Sequence, residues 1–98
     1  MTININRKET NAIIEIAGRL DTTTAPMLDN VITNDINDVK NLTLDLKGLD
    51  YVSSAGLRVL LSAQKKLSKV GSMKLINVSE PVMDVFEITG FADILTIE

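Results

Sequence analysis

The stretch Leu42-Thr43-Leu44-Asp45-Leu46-Lys47-Gly48-Leu49-Asp50-Tyr51-Val52-Ser53-Ser54-Ala55-Gly56-Leu57 decides the fold. Its first five residues alternate apolar and polar, the two-residue period of a strand, and are hydrophobic enough to suit burial on both faces. Lys47 to Asp50 reads as a turn. From Ser54 onward, Leu57, Leu60, Leu61, Ala63 and Leu67 recur at helical spacing until Gly71, which supplies a C-terminal stop. A strand that hands over to a helix of this length begins a βαβ crossover. At the handover two hydroxyls, Ser53 and Ser54, sit at a helix N-terminus. Unpaired N–H groups and the positive end of the helix dipole favour an anion there. Serine is also a preferred N-cap, so the same pair fits plain capping.

Working outward, the same alternation recurs on both sides. Ile3 and Ile5 mark a half-buried edge strand, Lys8 to Asn11 a polar turn, and Ala12 to Ala17 the returning strand of a hairpin that Gly18 breaks. Leu20 to Pro26 reads as a helix start, with Leu28, Val31, Ile32 and Ile36 as its apolar face. Asn37 to Asn41 is loop-like. Met73 to Val78 is another strand. Ser79-Glu80-Pro81 opens a third helix with Val82, Val85, Phe86 and Thr89 on one face, closed by Gly90. Ile94 to Ile97 is a final strand. The order strand, strand, helix, strand, helix, strand, helix, strand predicts a two-layer α/β domain over residues 1–98. Its expected sheet is five-stranded and mostly parallel, with an N-terminal antiparallel edge strand and all helices on one face.

The composition narrows the function. At 98 residues the chain suits one domain with a modest core. Tyr51, Phe86 and Phe91 are its aromatic residues, so that core is aliphatic. A net charge of −3 argues against general nucleic-acid binding and against attraction to anionic lipid. With no cysteine and no histidine, the chain has no thiolate nucleophile, no zinc–thiolate site and no imidazole base. No phosphate-binding glycine loop or nucleophile elbow is present. The expectation is a non-enzymatic cytoplasmic domain with no cofactor, no metal and no membrane insertion.

In a parallel sheet, the loops leaving the C-terminal strand ends share one rim. Those loops hold Gly18 to Thr24, Leu49 to Gly56 and Ser79 to Pro81, which puts Asp21 and Ser54 on neighbouring loops. Asp21 fits either helix capping or a role on that rim. Arg58, Lys65, Lys66 and Lys69 form a stripe on the second predicted helix. That stripe fits a solvated face or, beside Ser54, part of a docking surface for an acidic partner.

Three pieces of the chain together resemble the STAS family, named for sulfate transporters and anti-sigma-factor antagonists. Gly18-Arg19-Leu20-Asp21 is similar to the family's G-x-L-D. Leu46 to Leu57 resembles its central strand–loop–helix with the core D-[ST]-[STA]-G-L. Val82 through Phe86 with Thr89-Gly90-Phe91 resembles V-x-x-x-F-x-x-[ST]-G. The resemblance implies a regulatory domain without intrinsic catalysis. In its stand-alone form it implies an anti-sigma factor antagonist that binds an anti-sigma factor with serine-kinase activity. Phosphorylation by that kinase abolishes binding, and a metal-dependent serine phosphatase restores it. Anchored on Gly56-Leu57, the acceptor position falls on Ser54, and the implied partner-binding residues are Asp21, Ser53, Ala55, Gly56 and Arg58. The family's Asp before the acceptor is Ser53 here, which removes a negative charge and leaves Ser53 as a second possible acceptor. The alternative implied by the family is an unphosphorylated accessory or scaffold subunit of a transporter or signalling complex.

Overall fold

The computed structural model covers residues 1–98. Strands β1 (Thr2–Lys8) and β2 (Asn11–Leu20) form the N-terminal hairpin. Helix α1 (Ala25–Asn30) runs on into a π-helical turn (Val31–Asp35). Strand β3 (Asn41–Val52), helix α2 (Ser54–Val70), strand β4 (Ser72–Ile76) and helix α3 (Glu80–Thr89) come next, and a 3-10 turn (Phe91–Asp93) leads into the tail. The sheet order is β1-β2-β3-β4; β1 pairs antiparallel with β2, and the β2–β3 and β3–β4 pairings are parallel.

The sheet therefore has four strands of mixed orientation rather than the five expected. The predicted strand at Ile94–Ile97 is reduced to one parallel bridge, Leu75 to Ile97. After the left-handed Gly90, at φ +83°, the 3-10 turn takes up three residues. The tail beyond it is held to β4 by the Leu75 N–H to the Thr96 carbonyl at 2.8 Å, the Glu98 N–H to the Leu75 carbonyl at 2.9 Å and a Lys74–Glu98 ion pair at 3.7 Å.

One face of the sheet is covered. Ala12, Ile14 and Ile16 of β2 and Leu42, Leu44 and Leu46 of β3 are buried beneath Leu57, Leu60, Ala63 and Leu67 of α2 and Val82 and Phe86 of α3. On the other face Ile13 and Glu15 are exposed, and Thr43 and Asp45 are half-buried. Strand β3 is thus buried on one side only, and its alternation is the ordinary signature of a half-covered strand.

Three other elements differ from the sequence reading. Gly18 does not end β2, and Lys47 to Asp50 is not a turn. Both strands continue, with register shifts between Glu15 and Ala17 and between Gly18 and Arg19. Gly18 takes φ +102° at the second irregularity, and a Cβ on Gly48 would lie 2.6 Å from the Ala17 Cβ, so these glycines permit a bulged pairing. The first helix also changes pitch at Val31. The wider turn keeps Ile32 and Ile36 buried, and Lys66 of α2 donates to the Ile32 carbonyl at 3.2 Å.

Candidate functional site

The extended β2 and β3 bring two loops together at their C-terminal ends. Arg19 pairs with Tyr51 and Leu20 with Val52 in the parallel register. The Ser53 N–H then donates to the Leu20 carbonyl at 2.9 Å, which stitches the β2–α1 loop to the start of α2. Gly56 makes this approach possible: a Cβ there would lie 2.7 Å from the Leu20 Cγ and 3.0 Å from its carbonyl oxygen. The third loop is tied in by the Ser79 hydroxyl, which donates to the Leu49 carbonyl at 2.9 Å rather than capping α3.

The two serines occupy different positions. Ser53 is the N-cap of α2: its backbone is extended, at φ −97° and ψ 175°, and its Oγ accepts the Gly56 N–H at 3.4 Å. Its carbonyl accepts the Leu57 N–H at 2.9 Å, the first bond of the helix. Ser53 is half-buried, whereas Ser54, the first helical residue, is exposed and its hydroxyl makes no hydrogen bond within the chain. The Ser54 and Ala55 amides, among the first four of the helix, also lack an acceptor in the chain. Capping and accessibility are thus divided between neighbours: one serine closes the helix and the other is free.

Asp21 is placed on the same rim by its own turn. Its Oδ1 accepts the Thr23 hydroxyl at 2.7 Å, the Thr23 N–H at 3.0 Å and the Thr24 N–H at 3.1 Å. These bonds, led by the Thr23 hydroxyl, hold the Asp21 carboxyl below its ordinary pKa. The threonines after Asp21 thus fix the start of α1 and keep the carboxylate ionised. Its other oxygen lies 3.9 Å from the Arg19 Nε.

Of the expected partner-binding residues, Asp21, Ser53 and Ala55 are half-buried and Arg58 is exposed. Gly56 is buried beneath Leu20 and has no surface of its own, so its part is to hold the loops together. The basic stripe is not uniform either, because Lys66 is engaged with the first helix while Lys65 and Lys69 point to solvent. Sequence reasoning missed the pair Arg19 and Tyr51, whose guanidinium and ring stack at 4.0 Å. The pairing exists only because β2 and β3 run past their glycines, and no local signal marks that.

The STAS domain family model matches residues 2–98. The anti-sigma-B factor antagonist of Bacillus subtilis is 33% identical over 98 residues, an alignment that covers 99% of this chain and 90% of the relative. An anti-sigma factor antagonist from Mycobacterium paratuberculosis superposes with a TM-score of 0.86 at 22% identity, over 98% of this chain and 83% of that one. The anti-sigma factor antagonist SpoIIAA, solved unphosphorylated, gives 0.82 at 19% identity over 99% and 88%; the Bacillus cell fate determinant SpoIIAA in its phosphorylated form gives 0.67 at 18% over 99% and 91%. At these identities the solved structures speak for the fold alone, while the family match spans the hairpin, the stitched rim and the closing helix. This chain belongs to the STAS domain family.

Proposed function

We propose that the protein is an anti-sigma factor antagonist whose binding is switched by phosphorylation of Ser54. The observation that carries the reading is the exposed Ser54 hydroxyl, unbonded at the first position of α2 on a rim where three loops converge. The full-length relationship to an anti-sigma-B factor antagonist supports the binding role. The existence of SpoIIAA in both phosphorylation states supports a switch on this fold.

The unmodified rim docks on the anti-sigma factor. A kinase activity in that partner transfers the γ-phosphoryl group of ATP to the Ser54 Oγ; the hydroxyl proton departs and ADP leaves. The product carries about −1.5 to −2 charge at the centre of the contact. In the free protein that charge faces free amides and the helix dipole, so the modified domain stays folded. In the complex it must be desolvated or must push contacts apart. A metal-dependent phosphatase hydrolyses the phosphoester and restores the docking surface. Ser53 is the poorer acceptor, because its Oγ faces the Gly56 N–H and it is half-buried.

Incubation with the cognate kinase and ATP, followed by phosphopeptide mapping, tests the assignment. Phosphate on Ser54 is the expected result; phosphate chiefly on Ser53, Ser62 or Ser68 contradicts it. A constitutive subunit of a transporter or scaffold would take up no phosphate and would bind equally well with Ser54 or Asp at this position.

A further inference from the structure

We propose that Arg19, held on the ring of Tyr51, is a specificity-determining residue that binds an acidic side chain of the anti-sigma partner. The two residues are neighbours in register at the C-terminal ends of β2 and β3, on the rim that carries Asp21 and Ser54. The guanidinium carbon lies 4.0 Å from the ring centroid. Stacking of this kind restrains a side chain that otherwise loses considerable rotamer entropy when it is fixed in a complex.

The donors of Arg19 remain unused. It donates no hydrogen bond within the chain, and its nearest charge, the Asp21 Oδ2, is at 3.9 Å, beyond hydrogen-bond distance. Asp21 itself is occupied by Thr23 and Thr24 through its other oxygen. The Arg19 side chain is 60% exposed and Tyr51 is 39% exposed. Arg7 shows what an arginine engaged within the chain looks like: it donates to Asp38 at 2.9 Å and to the Glu9 carbonyl at 3.0 Å. A guanidinium that is oriented yet hydrogen-bonded to nothing is prepared for a bidentate carboxylate, and Arg and Tyr are enriched among residues that dominate interfaces. Because the pair lies on the uncovered face of the sheet, the contact extends from the start of α2 over the rim.

The inference rests on the antagonist reading, and calorimetric titration of the purified anti-sigma factor of the source organism separates the two. Wild-type protein is compared with Arg19→Ala, Arg19→Glu, Arg19→Lys, Tyr51→Leu and the distant control Lys8→Ala, each at low and high salt. Arg19→Ala is expected to weaken binding about tenfold and to flatten its salt dependence; Arg19→Glu is expected to weaken it roughly a hundredfold. Arg19→Lys and Tyr51→Leu fall between Arg19→Ala and wild type, because each keeps the charge but loses the stacked fork. Lys8→Ala leaves binding unchanged, and thermal melts of all variants stay close to wild type. Wild-type binding with Arg19→Ala and Arg19→Glu within twofold overturns the inference alone. So does a loss of affinity with unchanged salt dependence and a matching fall in melting temperature, which marks a structural role. No binding by the wild type overturns the antagonist reading and the inference with it.

Discussion

The two ends of the sheet are built from similar polar residues and put them to opposite uses. At the N-terminal end of the parallel strands, the Asn41 side chain donates to Asn11 at 3.0 Å and accepts from the Ser72 hydroxyl at 3.0 Å, a ladder across three strands. The Lys40 and Asn41 amides donate to the Thr10 carbonyl, and the Ser72 amide to the Lys40 carbonyl. Arg7 ties β1 to Asp38 and to the Asp35 carbonyl. At the C-terminal end the backbone is stitched as tightly, through Leu20 and Ser53, yet the Ser54 hydroxyl and the Arg19 guanidinium are left unbonded. One end closes its hydrogen bonds on itself. The other bonds its Asp21, Ser53 and Ser79 side chains within the chain as well but leaves these two free, which suits recognition without refolding.

Glycine substitutions at the two ends separate these roles. A Cβ on Gly71 would lie 1.9 Å from the Lys40 carbonyl oxygen, which is backbone and held by Ser72. Gly71→Ala is expected to cost about 3 kcal/mol in denaturant unfolding, at the upper end for overpacking, and to leave partner affinity unchanged while the protein is folded. Gly56→Ala meets a side chain as well as a carbonyl, so about 1–3 kcal/mol is expected. Because it moves the Leu20–Asp21 loop away from α2, it should weaken partner binding too. Equal effects of both substitutions on binding would erase the contrast between the two ends.

The paired serines sharpen the contrast within one rim. Ser53→Ala removes the cap on the Gly56 N–H and should cost about 0.5–2 kcal/mol, whereas Ser54→Ala should change stability by less than about 0.5 kcal/mol. Thermal melts of the two variants decide it. A larger loss for Ser54→Ala would mean that the capping and accessible roles had been assigned to the wrong residues.

Much of this architecture was legible in the sequence. The helical spacing from Leu57 to Leu67 and the stop at Gly71 delimit α2 as observed, because a long amphipathic face has one solution. The rim shared by Asp21 and Ser54 followed from parallel connectivity alone. What was illegible depended on partners distant in sequence. Gly18 and Gly48 read as breakers, yet each is a paired residue beside a register shift inside the two strands, and such irregularities are set by the neighbouring strand. The pairing of Arg19 with Tyr51 was hidden by the same misreading. Ile94 to Ile97 has the composition of a strand, but Leu75 alone bridges to it.

A smaller effect contrasts the two ends by pH. Asp38 is held below its ordinary pKa chiefly by the Arg7 guanidinium, and Asp21 chiefly by the Thr23 hydroxyl. A lowered folded pKa means that the unfolded chain binds the proton first as pH falls. The stabilisation is therefore complete above about pH 4 and is lost as pH drops through the lowered folded values. Melting temperatures between pH 2 and 6 should fall less steeply for Asp21→Asn and for Asp38→Asn than for wild type. High salt should shrink the Asp38 effect more, since it comes from an ion pair while that of Asp21 comes from neutral donors. An Asp21 effect that vanishes in salt would implicate Arg19 as its source instead.

The remaining question is whether the free hydroxyl is the switch. Titration of the anti-sigma factor with unmodified protein, with protein phosphorylated on Ser54 and with Ser54→Ala answers it. The expected result is tight binding by the unmodified and alanine forms, and binding weaker by roughly two to three orders of magnitude for the phosphorylated form, equivalent to about 3–4 kcal/mol. Equal affinity for all three would contradict the switch and leave Ser54 as an exposed helix-start residue with no regulatory part.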